Sequence, residues 1–514
     1  MSERVLVYEG SYHDSAFLMR VARDLEALEG VDEAVVLMGT EMNLALLANA
    51  GFEDEALTRA GPMDMVVALR AASAARLDAA EQELARLLDA ALRGDAESAG
   101  AAAARYPSLA AALEAQAEAN LVSVAVPGAY AGYVASRALD AGKHVFLFSN
   151  NVPLEEEIEL KRRGVAQGLL VMGPDCGTAM LAGVGLGFAN RVRRGRAGMV
   201  GASGTGLQEL ACLLHAAGQG ISQAVGTGSR DLKTELDAAM SEMGLRLLAG
   251  DAQTEVIVLV AKHPAPAVAE RVHGVLRGLG KPCVVRYLGC DPRPADGEVF
   301  YAASLDEAAA RAAAALGSAP PPPFDARAGA AGLLGERARI EGRLVGLFGG
   351  GSLASEAERV CEAAGLDVAC PDHPLQVEPL EGRGHLIVDT GEDFYTLGKP
   401  HPMVDQTVRC ELIEAVGADR SVGLLLFDLV LGDGAHLDPA PELAAAVAAA
   451  REKRPGEAPP LCVVASVSGT DLDPQDSERQ RRTLREAVIH VEPSAWRAAS
   501  VAAAACSARE GSGS

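Results

Sequence analysis

The sequence predicts a multidomain α/β protein, and three observations carry that reading. Strand-like and helix-like stretches alternate along the chain, many strand-like runs are apolar throughout, and one segment recurs at a fixed offset. Apolar runs of that kind suit strands covered on both faces of a parallel sheet. At about 150 residues per domain, 514 residues give roughly three to four domains, each able to bury a core.

Taken in order, Val5–Tyr8, Ala34–Met38 and Met65–Leu69 read as strands, with helical spacing over 15–28 and 73–92, which places a small α/β domain at 1–95. The segment Ser11-Tyr12-His13-Asp14-Ser15 reads as a helix start, with Asp14 or Ser15 as its N-cap. Residues 94–104 are small and polar and read as a linker or a frayed helix end. Runs at 121–126 and 144–148 place a second α/β domain at 105–194, and those at 256–260 and 283–285 a third at 195–316. Four consecutive prolines make 317–334 a Pro-rich linker, because they hold the chain extended. The runs at 424–427 and 461–465 belong to a fourth domain at 340–506, and residues 510–514 read as a flexible tail.

The repeat links the last two domains. Residues 195–221 and 342–368 share Gly-Arg, a Gly-rich turn, Thr205 over Ser352, Glu209 over Glu356, and Ala-Ala-Gly at 216–218 over 363–365, all at an offset of 147. Cys283-Val284-Val285 recurs as Cys462-Val463-Val464 at a larger offset, which requires a longer insertion in the second copy.

Composition excludes several classes of function. With 46 Lys and Arg against 70 Asp and Glu the formal charge is −24, and the basic runs are short, so neither nucleic acid nor an anionic membrane is an expected partner. No apolar run reaches the ~18 residues of a membrane span, and the opening MSERVLVYEG has no signal-peptide character. The nine cysteines form no CxxC pair and no Cys/His set at zinc spacing. Reduced thiols, a cytoplasmic location and no metal centre are the expectations.

Each repeat opens with a strand, a Gly-rich turn and a helix. The amides and dipole of such a helix start favour an anion, which makes Ser203, Gly204 and Thr205, and in the second copy Gly350, Gly351 and Ser352, candidate binders of a phosphate or carboxylate. Tight strand-on-helix packing is the other reading of the same glycines. Neither turn has the Lys of a P-loop. In Gly398-Lys399-Pro400-His401-Pro402-Met403 the prolines fix the backbone, so Lys399 is a candidate anion binder and His401 a candidate proton-transfer group; a rigid structural turn is the alternative. Lys262, in Lys-His-Pro, is a weaker echo of that loop, and Asp389, Glu392 and Asp393 form an acidic turn whose default is solvation. Cys176 invites a nucleophile reading, but a small buried hydrophobe is the default for an isolated cysteine.

GRAGMVGASGTGLQE, DAQTEVIVLVAKHP and KPCVVRYLG resemble the second domain of the succinyl-CoA synthetase α subunit, and residues 128–180 look like the end of that subunit's CoA-binding Rossmann domain. HLIVDTGEDFYTLGKPHPMVD and SVGLLLFDLVLGDGAH resemble the carboxy-terminal domain of the β subunit. The whole arrangement is similar to the FdrA family, on SYHDS, MGPDCGT, GASGTGLQE, GKPHPM and GTDLDPQ. The fold implied is a truncated Rossmann-like CoA-binding domain and two flavodoxin-like succinyl-CoA-synthetase-type domains behind the small amino-terminal α/β domain. The synthetase's phosphorylated histidine has no counterpart, since Arg286–Pro292 occupies the matching region, and Ala261-Lys262-His263-Pro264 replaces the loop of its partner glutamate.

The resemblance implies that Ser203–Thr205 and the Gly432-Asp433-Gly434 turn after Asp428 face one another across a domain interface and hold a phosphoryl group, with Gly432 and Gly434 as binders. It further implies an acyl-phosphate-handling transferase, carbamoyl phosphate and oxamate being the pair associated with the family, working with other subunits of a hetero-oligomeric complex. The alternatives are an acyl-CoA synthetase component, for which CoA is the implied cofactor, and a non-catalytic scaffold.

Overall fold

The computed structural model describes all residues except 1, 12, 14, 27, 41–42, 45–46, 49, 53, 98–105, 372, 374, 376–383, 397–398 and 508–514. Tyr12 and Asp14 of the expected helix start, residues 98–104 of the expected linker, Gly398 and the 510–514 tail therefore lie outside the described residues. The chain divides into two compact units, Met1–Glu118 with Thr396–Pro400, and Ala119–Tyr395 with His401–Ser514.

In the first unit, β1 (Ser2–Tyr8), β2 (Val31–Met38) and β3 (Met65–Ala71) form an antiparallel sheet in the order β1-β3-β2. The central strand is apolar throughout because both its faces are covered. Val67 and Leu69 pack with Leu18, Leu25, Leu77 and Leu84 of the helices Ser15–Glu26 and Ala74–Glu97, while Val66 and Ala68 pack with Leu47 and Phe52.

The second unit contains three sheets. β4 (Leu121–Val124), β5 (His144–Leu147) and β6 (Val171–Met172) are parallel in that order, with the helices Gly128–Asp140 and Leu154–Gln167 between them, which is the shortened Rossmann-like element. The first repeat is a sheet ordered β13-β12-β11-β9-β10-β7-β8, from β7 (Thr178–Leu181), β8 (Val184–Gly187), β9 (Arg194–Ala202), β10 (Ile221–Gly226), β11 (Val256–Ala261), β12 (Cys283–Tyr287) and β13 (Val299–Tyr301). Its β10-β9-β11-β12-β13 portion is parallel and has the flavodoxin order. The second repeat is ordered β15-β16-β14-β17-β18-β19, from β14 (Arg343–Phe348), β15 (Val368–Ala369), β16 (His385–Asp389), β17 (Val422–Val430), β18 (Cys462–Ser468) and β19 (His490–Glu492), all parallel. β16 stands beside β14 as β10 stands beside β9, so the stretch between β15 and β16 is extra in the second copy.

Two expected boundaries shift. The β7–β8 hairpin, assigned from sequence to the Rossmann-like domain, joins the first repeat's sheet through Ala224 and Met180. The expected linker at 317–334 is not extended to its end. Ala326–Leu334 is a helix because Asp325 accepts hydrogen bonds from the amides of Arg327 (2.9 Å) and Ala328 (3.3 Å), and Ala330 and Leu334 are buried in the core shared with the helix Ala495–Cys506.

The repeats lock together reciprocally. Glu209, on the first repeat's leading helix (Gly204–Ala216), accepts the amide of Ala495 in the second repeat at 2.9 Å. Glu356, on the second repeat's leading helix (Gly351–Ala363), accepts the amide of Leu305 in the first repeat at 2.8 Å. Each buried carboxylate thus serves the amino-terminal end of the other repeat's closing helix, Ala495–Cys506 or Leu305–Ala315.

Candidate functional site

The two leading helices meet at their amino-terminal ends. Ser203 is the N-cap of the first, its Oγ accepting the amide of Gly206 at 3.2 Å, and the same Oγ lies 2.6 Å from Ser352 Oγ at the second helix position of the other repeat. The first two amides of a helix have no intrahelical acceptor. Those of Gly204, Thr205, Gly351 and Ser352 carry no hydrogen bond among the described residues. Two helix dipoles and four donors therefore converge on one place, an arrangement that favours an anion. Thr178 Oγ1, a buried hydroxyl without a partner among the described residues, lies beside it, 3.4 Å from where a Cβ on Gly204 would stand.

Side chains from three further loops border the second helix start. A Cβ on Gly351 would collide with Asp389 Oδ2 and stand 3.1 Å from Lys262 Nζ, and one on Gly391 would stand 2.8 Å from His401 Nε2 and 3.1 Å from Asp389 Oδ1. Burial raises the Asp389 carboxyl to about 6 against the opposing pull of Lys262. Burial, helped by Arg409, lowers His401 to about 4. His401 Nδ1 accepts the amide of Met403 at 3.2 Å, which leaves Nε2 as the N–H of a neutral ring. His401 Nε2–H is therefore able to donate a hydrogen bond, and of the two side chains Asp389 is the one whose ionisation lies nearer neutral pH.

Behind the second helix start lies a buried ion pair. Asp428 accepts the amides of Gly349 (2.7 Å) and Gly350 (3.1 Å) and pairs with Arg409 Nη1 at 2.8 Å; Arg409 also donates to Gln406 Oε1, whose side chain donates to Pro402 O at 2.6 Å. One network thus fixes both the glycine turn and the loop that carries His401.

Other sequence candidates lie elsewhere. Gly432 and Gly434 do not open a helix, since the next one begins at Pro439, and the element facing Ser203 is the Gly350–Ser352 start instead. The Gly432 amide is taken by Gln475 Oε1 (3.1 Å), Asp433 bridges to Ala189 and pairs with Arg191, and both glycines have positive φ, so the turn is a docking element. Lys399 is exposed and belongs to the first unit. Burial drives the Cys176 thiol up to about 12, which removes it as a nucleophile. Among the described residues no group of three His, Cys, Asp or Glu side chains is placed to hold a metal ion.

Sequence reasoning missed Thr178 and Arg409 and used Asp428 only as a landmark. Asp428 had a signal, as the one charge within the apolar run 422–431; Arg409 had none. For CoA the fit is incomplete. β4 is an edge strand of its sheet, so among the described residues no strand fills the position beside it, where a doubly wound sheet carries its phosphate-binding strand and turn.

Comparison with known proteins follows the same division. A model of the CoA-ligase family matches residues 347–505, and one of the AllF heavy metal-associated domain matches residues 1–106. Residues 1–106 contain no cysteine and a single histidine, His13, so they do not fit a thiolate metal site. YahF of Escherichia coli (strain K12) is 36% identical over 497 residues, covering 95% of this chain and 96% of that protein. The mitochondrial ADP-forming succinate–CoA ligase subunit alpha-2 of Trichomonas vaginalis is 30% identical over 151 residues, 28% of this chain and 47% of that subunit. Among solved structures, the apo dinucleotide-forming acetyl-coenzyme A synthetase 1 of Ca. Korarchaeum cryptofilum aligns with 75% of this chain and 82% of that chain, at 20% identity and a TM-score of 0.29.

Proposed function

From the premise that this chain belongs to the family that includes Escherichia coli YahF, on a succinyl-CoA-synthetase-like fold, we propose that it binds an acyl phosphate between its two leading helices and transfers the acyl group. The observation that carries this reading is the set of four amides, at Gly204, Thr205, Gly351 and Ser352, that have no partner among the described residues, joined by the Ser203–Ser352 hydroxyl contact. As a nucleophile attacks the acyl carbon, the bond from that carbon to the phosphate oxygen breaks, and the leaving phosphate gathers charge where these donors and Lys262 can receive it. His401 Nε2–H supplies a further donor, and Asp389 takes the proton of the attacking group.

Carbamoyl phosphate and oxamate are the pair proposed here, with partner subunits completing the site. The test is carbamoyl transfer and phosphate release by the purified chain, alone and with its partner subunits, together with calorimetric binding of inorganic phosphate. Absence of transfer from carbamoyl phosphate in the complete complex ends this assignment, and absence of phosphate binding ends the acyl-phosphate site itself.

The CoA-ligase match over 347–505 favours a second reading, an acyl-CoA ligase component working with a nucleotide-binding chain. It requires CoA affinity, which calorimetry measures directly, and no heat of binding at millimolar CoA discards it.

A further inference from the structure

Beside the phosphate-type site, the first repeat carries a thiol–imidazole pair. Cys290 Sγ lies 3.0 Å from His263 Nδ1. The two residues follow β12 and β11, adjacent parallel strands whose register sets Tyr287 beside Ala261, so both loops leave the same end of the sheet. Cysteines 176, 212, 283, 361, 462 and 506 are buried, whereas Cys290 is partly open.

Cys290 also lines a groove of about 1430 Å³ that includes Arg286, Glu356, Arg359 and Trp496. Arg286 is 2% exposed and Glu356 fully buried; Arg286 Nη1 donates to the carbonyls of Tyr287 and Cys290 at 3.2 Å and its Nε approaches Glu356 Oε1 to 3.4 Å, yet Arg286 Nε and Glu356 Oε2 have no hydrogen-bond partner among the described residues. A buried guanidinium with one N–H left unused at the wall of a groove is one that a polar ligand can complete. Burial holds the Cys290 thiol protonated, while Arg286 and Arg359 pull in the opposite direction. A thiol so placed needs a base to become a nucleophile, and the imidazole stands where that base must be.

We propose that Cys290 is a nucleophile with His263 as its base, and that the groove takes an activated acyl donor whose anionic part faces Arg286. In the step, the Sγ proton passes to His263 Nδ1, Sγ bonds to the acyl carbon, and the bond from that carbon to its phosphate oxygen or thioester sulfur breaks. The imidazolium returns the proton to the leaving phosphate or thiolate, and a thioester remains on Cys290. This centre is independent of the acyl-phosphate site proposed above, because the donor can be a thioester and the groups involved are different.

The experiment incubates the full chain with acetyl phosphate in one arm and acetyl-CoA in the other, and maps adducts by peptide mass spectrometry. A hydroxylamine-labile acetyl group on Cys290 is expected from one of them, which identifies the donor. Cys290→Ser removes it and His263→Ala slows its formation by about 10²-fold. Trp496, the single tryptophan of the chain, reports donor binding in the groove through its fluorescence. A measurement that needs no donor is iodoacetamide alkylation at pH 7, where Cys290 is expected to react about tenfold faster than Cys370 and Cys410, a lead that His263→Ala abolishes. No adduct from either donor, adducts spread evenly over the three cysteines, or alkylation of Cys290 unchanged by His263→Ala overturns the proposal.

Discussion

The two repeats solve one problem, how to fix the glycine turn that opens the leading helix, in different ways. In the first, Ser203 caps the helix with its own side chain, and the position beside the turn is Val260. The strand registers make Val260 the equivalent of Asp428, since Leu259 pairs with Val200 as Phe427 pairs with Leu347. In the second repeat the N-cap is Gly350, which has no side chain to offer, and the buried Asp428 carboxylate takes the turn amides while Arg409 neutralises it. A local cap has been replaced by a long-range ion pair. The second repeat should therefore be far more sensitive to the loss of one distant residue.

The largest expected effect breaks that difference directly. Arg409→Ala leaves Asp428 buried without its partner and should cost about 3–5 kcal/mol in denaturant unfolding. A cost below about 1 kcal/mol would show that the turn does not depend on the pair. Next come the first residues of the two helices. Alanine at Gly351 collides with Asp389, whereas at Gly204 its nearest neighbour is Thr178 Oγ1 at 3.4 Å, an ordinary contact. Gly351→Ala should lower phosphate affinity by about 10²-fold, and Gly204→Ala should change stability by no more than about 0.5 kcal/mol.

The proton-transfer role proposed for Asp389 is checked by pH. A base that ionises at about 6 gives an activity that is lost as pH falls through that value, and Asp389→Asn should lower the plateau and remove the inflection. An inflection that persists in Asp389→Asn moves the role elsewhere.

The reciprocal glutamates sharpen the comparison. Glu356 faces Arg286 and titrates at about 7, while Glu209 faces Ser468 and burial raises it well above the ordinary carboxylate range. For Glu356 the unfolded chain releases its proton near the ordinary value and the folded chain near 7, so its contribution falls as pH rises from about 4.5 through 7. Glu356→Gln should flatten that decline, with a melting temperature about 2–4 °C above the parent at pH 8 and little change at pH 4.5.

The smallest effects are the hydroxyls. Ser203→Ala removes a cap and should cost about 1 kcal/mol, whereas Ser352→Ala removes only a hydrogen bond and should cost about half as much. Equal costs would mean that the cap contributes nothing beyond the shared contact.

Much of the fold could be read from the sequence because its signals are local. The apolar run at 424–427 lies in a central strand, Val422–Val430, the Gly-rich turns lead into helices, and the offset of 147 corresponds to two leading helices in equivalent places. The site was legible only in part. Gly432 and Gly434 show why, since a Gly-rich turn announces unusual φ values, 120° and 82° here, without saying what the turn is for. Their close neighbours belong to the 187–190 segment, far away in sequence: backbone atoms of Gly187, Ala189 and Asn190 and the Phe188 ring, and the turn is used to pack. The boundary at 334 moved for a related reason: proline content predicted the extended start of that segment, but Asp325 and the burial of Leu334 set where the helix begins and what it covers.

By itself the sequence determined which backbone segments could turn, start helices and lie in a parallel sheet, because those preferences are settled within a few residues. Only the tertiary structure decided which helix amides remain without partners among the described residues, that Asp428 and Arg409 meet across 19 residues, and that burial lowers His401 while it raises Asp389. Partnership and burial depend on what the rest of the chain brings alongside, and no local pattern carries that information.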